Sequence, residues 1–270
     1  MAPPNSECTG AIVVRDVEAF FAAMAAASPA HGWRARVLRA ATNVQTVSAA
    51  SLGSVLVVHL AAPVVAGLVG AAHIDVADQT MLLGRVYYQN ALVEPVLVWG
   101  ALGAHLVASA VRAALRPARR VTGKARRWDW AQWQRVAGYV LAPVLLAHVW
   151  ANRVVPSRDV PPISALSPSE LELSYVGYAF RTPRLAARTT ALYTVLIVAT
   201  AVHWIGGMPK MSARLGMRRP RTRAAQIGAG ALAGALALGT AAVARAGVAG
   251  IAPPMLERMR ASYAQVWVYR

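Results

Sequence analysis

Five stretches of the chain are apolar on every side and long enough for a bilayer crossing, which takes about 20 residues: 46–74, 95–111, 136–152, 189–208 and 224–244. None alternates with a period of two, and all are too long for sheet strands, so each is predicted to be a helix. The expected fold is therefore all-α: a polytopic membrane protein with five transmembrane helices. The first four form an up-down four-helix bundle, and the fifth packs against it. Gly230 and Gly234 in the fifth span form a G-x-x-x-G pair suited to close helix approach. Pro63 and Pro143 interrupt the first and third spans and predict local kinks. Three regions follow: an N-terminal segment (1–45), the five-span domain (46–252) and a C-terminal tail (253–270). A short amphipathic helix over 17–27, capped by Asp16, is expected in the first.

Composition agrees with that pattern. The 270 residues are 57% hydrophobic and only 14% charged, against about a quarter charged in soluble domains. The net charge of +17 would suggest nucleic acid on a soluble chain, but no nucleic-acid-binding module accompanies the basic runs, and no nucleic-acid partner is expected. Instead the cations flank the spans on one side. They include Arg34, Arg36 and Arg39, the stretch from Arg112 to Arg135, and Lys210 to Arg223. The positive-inside bias places this face and the N-terminus in the cytosol, against anionic headgroups. "RRWDWAQWQR" (126–135) sets Trp128, Trp130 and Trp133 there as interfacial anchors or a docking surface. Cys8 is the only cysteine, which leaves no intramolecular disulfide or thiolate metal site.

Histidine placement carries the candidate chemistry. His59, His105, His148 and His203 occupy spans one to four, one in each, at comparable depths near or somewhat past mid-bilayer. Because successive helices alternate in direction, His59 and His148 share one level, and His105 and His203 share the other. In an up-down bundle these are diagonal pairs, and each pair can hold a planar macrocycle between two imidazoles. One or two b-type haems are expected, with iron held by the pairs 59/148 and 105/203. Arg112 and Lys210 each follow a histidine by two helical turns on the same face and are candidate propionate partners. Arg153, with Asn152 and Arg85, is the candidate at the other level. The same histidines also suit a plainer reading, in which neighbouring Ser, Thr and backbone groups satisfy them in the bundle core.

Two resemblances bear on function. The plan of four histidines on five helices resembles the diheme membrane subunit of succinate dehydrogenase and fumarate reductase, through architecture rather than local motif. "HLAAP" (59–63), "GRVYYQNALVEP" (84–95), His105, "GYVLAPVLLAHVWANRVVP" (138–156) and "HWIGG" (203–207) resemble the fungal Mcp family of mitochondrial outer-membrane proteins. That resemblance implies a role in mitochondrial lipid homeostasis, as the membrane adaptor for a bridge-type lipid-transfer protein and in lipid scrambling. Adaptors of this kind use an N-terminal P-x-P motif, whereas this chain has Ala2-Pro3-Pro4 and no P-x-P.

Three function classes stay open: a lipid-homeostasis adaptor in the mitochondrial outer membrane, a diheme cytochrome b passing electrons from quinol, and a structural membrane subunit. The adaptor ranks first, with membrane lipids as its surroundings. No catalytic constellation assigns an enzymatic activity. In the 73–95 loop, Glu94 is expected to pair with Arg85 or to stabilise a helix N-terminus and Tyr87 and Tyr88 to join an aromatic belt; alternatively its polar set, Asp75, Asp78, Arg85, Tyr87, Tyr88 and Glu94, forms a lipid-headgroup or partner site.

Overall fold

The computed structural model describes residues 29–115 and 128–270, and all regular structure there is helical. The expected helix over 17–27, Cys8 and the cations from Arg116 to Arg127 lie outside the described residues. The helices are α1 (Pro29–Val69), α2 (Ile74–Tyr88), α3 (Ala101–Leu115), α4 (Trp130–Val149), α5 (Leu173–Arg181), α6 (Pro183–Arg214), α7 (Thr222–Ala246) and α8 (Pro253–Gln265). A π-helical turn, Glu94–Gly100, leads into α3, and a second, Trp150–Val154, continues α4.

Four helical segments among the described residues are long and apolar enough to cross a membrane: Gly32–Val69, Glu94–Leu115, Pro183–Arg214 and Thr222–Ala246. They contain most or all of predicted spans one, two, four and five. The chain is thus an all-α, polytopic membrane protein. The third predicted span lies in α4 and the π-helical turn after it; Gln132, Gln134 and Arg135 on α4 and Asn152 and Arg153 on the turn lower the apolar character there. The first span stops at Val69 rather than 74. Gly70 turns the chain at φ 75°, a region glycine enters without a Cβ penalty, and a 3-10 turn leads into α2.

The chain divides into two compact units, Met1–Ala49 with Ala101–Thr122, and Ala50–Gly100 with Gly123–Arg270. In the first, α1 and α3 run antiparallel: Gln45 Nε2 donates to Ser109 Oγ at 2.7 Å, and Ser48 Oγ meets His105 Nδ1 at 3.3 Å. The buried residues Ala41, Ser48, Ala101 and Ala108 let the two backbones approach.

The second unit is assembled through glycines and small side chains. A β-carbon on Gly67 would lie 3.0 Å from the Gly239 nitrogen, and one on Gly239 would fall on the Pro63 carbonyl. The close approach of α7 to α1 therefore uses Gly239, while Gly230 and Gly234 face open space. Antiparallel packing of α4 on α6 relies on Gly138 and Gly206 in the same way. Asp129 opens α4 with a capping box completed by Gln132.

Residues 253–270 are part of a core rather than an open tail. Met259, Tyr263, Val266 and Tyr269 bury themselves with Ala151, Val155, Ile163, Leu166, Tyr175 and Ala179. Tyr175 and Tyr263 stack with centroids 4.7 Å apart, and Tyr175 Oη also meets Ser262 Oγ at 2.7 Å. Arg258 locks the preceding loop through Glu170 at 2.6 Å and the Ile163 carbonyl at 2.9 Å.

Candidate functional site

His59 is an exposed imidazole on an otherwise apolar stretch of α1. Within a membrane such a group needs a partner. Its Nδ1 hydrogen-bonds the Tyr88 hydroxyl at 3.0 Å, from the last turn of α2. The helices come this close because Gly84, one turn before Tyr88, has no side chain: a β-carbon there would meet Val58 Cγ1 at 3.1 Å. Across from His59 stands His148 of α4, ring centroids 6.1 Å apart and planes at 78°. Asn152, one turn on, donates to the His148 carbonyl at 2.8 Å and sits 3.4 Å from His148 Nδ1. Tyr193 of α6 closes the row, edge-on to His148 at 5.7 Å, with its hydroxyl buried. Four rings from four helices thus stand in series: Tyr88, His59, His148, Tyr193.

His203 has a different setting. Its Nδ1–H donates to the Gln134 carbonyl at 3.0 Å, which fixes the tautomer and assigns the acceptor lone pair to Nε2. The ring lies directly on the α4 backbone at Gly138, where a β-carbon would come within 2.5 Å of Cε1 and 2.6 Å of Nδ1. Lys210, two turns on, donates to Gln134 Oε1 at 2.6 Å, so cation and histidine are tied to one α4 residue. His105 belongs to the first unit, where Ser48 meets its Nδ1, and Arg112 follows it on the same helix.

The cations near the His59 level have protein partners. Arg153 pairs side-on with Glu94, Nε to Oε1 at 2.8 Å and NH2 to Oε2 at 2.9 Å. Glu94 thus joins Arg153 rather than Arg85. The Arg85 guanidinium instead donates to the carbonyls of Pro168 and Leu171, the latter at 2.6 Å, and so holds the loop ahead of α5. Asp78 of α2 accepts the Leu173 N–H at 2.6 Å and caps α5 from another helix. Burial raises the Asp78 carboxyl to about 6, the Leu173 N–H acting against that rise.

Do these residues fit haem iron? Two imidazoles in line on one metal ion set their ring centroids about 6 Å apart, given metal–nitrogen bonds of about 2 Å. The 6.1 Å between His59 and His148 matches. His59 Nδ1 faces the Tyr88 hydroxyl, which can accept its N–H as the outer-shell partner of a ligating imidazole does, whereas the group at His148 Nδ1 is the Asn152 amide NH2, a donor. No group of three or more His, Cys, Asp or Glu that could hold a metal exists among the described residues. The separation of the two rings and the Tyr88 contact fit a bis-imidazole haem at His59 and His148.

Tyr88, Gln134, Gly138 and Tyr193 were not singled out as site residues from sequence. One signal was available for Tyr88: with Gly84 it forms an i, i+4 pair on one face of α2. No family model, curated protein or solved structure matches the chain.

Proposed function

We propose that this protein is a non-enzymatic component of mitochondrial lipid homeostasis. It is embedded in the outer membrane by five crossings, with its N-terminus in the cytosol, and its bundle holds haem b between His59 and His148. In this reading α4 is the third crossing, supported by its antiparallel packing along α6. The observation that carries the haem assignment is the 6.1 Å ring separation of two histidines on different helices. Haem, when bound, supplies one-electron redox chemistry; the chain's part is to face the two imidazoles across α1 and α4 and to orient His59 through Tyr88.

The lipid role rests on the resemblance to the Mcp family, with a bridge-type lipid-transfer protein and membrane lipids as partners. Four of the segments that carry the resemblance meet in the second unit: His59 on Tyr88, Glu94 on Arg153, and Gly138 beneath His203. Purified protein supplemented with haem is expected to give a b-type reduced-minus-oxidised spectrum, and loss of the protein to change mitochondrial phospholipids more than respiration. A colourless protein defeats the haem assignment. Unchanged lipids with a specific loss of quinol oxidation favour the second reading, a transmembrane cytochrome b. That reading draws support from His203, whose Nδ1–H is committed to a backbone carbonyl in the manner of a metal ligand.

A further inference from the structure

We infer that Tyr88 is the positioning residue of the His59–His148 site, setting which nitrogen of His59 faces the metal and how strongly it binds. The inference rests on the haem reading above and adds to it a residue that tunes the ligand.

The geometry begins with helix register. Gly84 brings α2 onto α1 at Val58, and Tyr88, one turn later, then falls beside the next residue of α1, His59. Tyr88 is 7% exposed, whereas its neighbour Tyr87 is 65% exposed. The two tyrosines are therefore chemically alike and structurally opposite. Burial pushes the Tyr88 phenol up, and the nearby Arg85 guanidinium opposes that rise. The phenol is neutral at physiological pH and keeps its proton.

A neutral hydroxyl both donates and accepts. When His59 Nε2 carries a proton, Tyr88 donates to the bare Nδ1. In the Nδ1–H tautomer, the one that would leave Nε2 free to hold a metal, Tyr88 accepts from Nδ1. The 3.0 Å contact serves both states without movement of either ring. His203 differs, because a backbone carbonyl only accepts, so its ring is held in one tautomer throughout. His59 is thus the adjustable ligand of the bundle. Phenylalanine at 88 would keep the ring packing and delete this adjustment alone.

The test uses full-length protein in nanodiscs, titrated with haem, comparing wild type, Tyr88→Phe and Tyr87→Phe. Tyr88→Phe is expected to weaken haem binding about 10- to 100-fold, the usual cost of losing an outer-shell partner. It should also raise the midpoint potential, since an imidazole without its Nδ1 acceptor is a poorer donor to ferric iron. Nitrogen-15 histidine spectra of the haem-free protein should show a changed tautomer balance for one ring, identified by its absence in His59→Ala. Tyr87→Phe should match wild type throughout. If Tyr88→Phe does not fold, 3-fluorotyrosine at 88, a weaker acceptor of the same shape, should raise the potential by a smaller step. Haem-loaded Tyr88→Phe with wild-type affinity, potential and tautomer balance overturns the assignment of Tyr88 and leaves the haem reading standing. Wild-type protein that takes up no haem overturns both.

Discussion

The carbonyl of Pro63 occupies the place where a β-carbon of Gly239 would stand, so α1 and α7 meet backbone to backbone. Gly239→Ala must therefore separate the helices. We expect a loss of about 3 kcal/mol, the upper end of overpacking costs. Gly230→Ala and Gly234→Ala face open space and should be neutral or stabilising by about 0.5–1 kcal/mol. Thermal unfolding in detergent checks the contrast; equal effects at 230 and 239 would contradict the crossing point.

His59 and His148 should behave as one unit. His59→Ala and His148→Ala are each expected to remove the same share of the b-type absorbance, with the double substitution removing no more than either alone. Additive losses at 59 and 148 would show that the two rings do not share an iron.

Glu94 and Arg153 are far apart in sequence, and their side-on geometry is the strong form of the carboxylate–guanidinium pair. Glu94→Gln and Arg153→Gln should each destabilise the protein, and a double-mutant cycle should return a coupling of about 1–3 kcal/mol. Glu94→Gln with Arg85→Gln should be additive. A larger coupling to Arg85 than to Arg153 would count against the observed pairing.

Asp78 predicts a pH dependence whose sign follows from its carboxyl being raised from 3.8 to about 6 by burial. Between those values the folded chain keeps a proton that the unfolded chain releases. The Asp78 contribution to stability is therefore greatest at low pH, declines as pH rises through that window, and is flat above it. Asp78→Asn retains an oxygen for the Leu173 N–H and carries no charge, so its Tm advantage over wild type should grow from pH 4 to above pH 6. A constant difference across that range would show that the carboxyl is not raised.

The proposed topology rests on the charge distribution. Single cysteines at the N-terminus, at position 126 and at position 218 should label from the same face of intact organelles. Labelling of 126 from the face opposite to the N-terminus would remove the five-crossing arrangement.

The membrane class was legible because all-round apolar character over a bilayer's width has few alternative causes. Four of the five predicted spans coincide with helices of the required length. The histidines stood out for the same reason, as polar residues in apolar runs. Their partners did not: whether Glu94 reaches Arg85 or Arg153 depends on helix rotation, which no local pattern records. The packing of residues 253–270 is not legible locally, because the residues that bury their aromatic side chains lie far back in the sequence, at Ala151 to Ala179.

That last separation imposes an order on assembly. The cluster around Tyr175 needs Met259, Tyr263, Val266 and Tyr269, which are synthesised only after both α6 and α7 have been made. At roughly 5–20 residues per second, the first half waits several seconds for its complement. During that interval Tyr175, Ile163 and Leu166 lack the partners that α8 and the residues after it supply, so this cluster closes only once residues 259–269 have been translated.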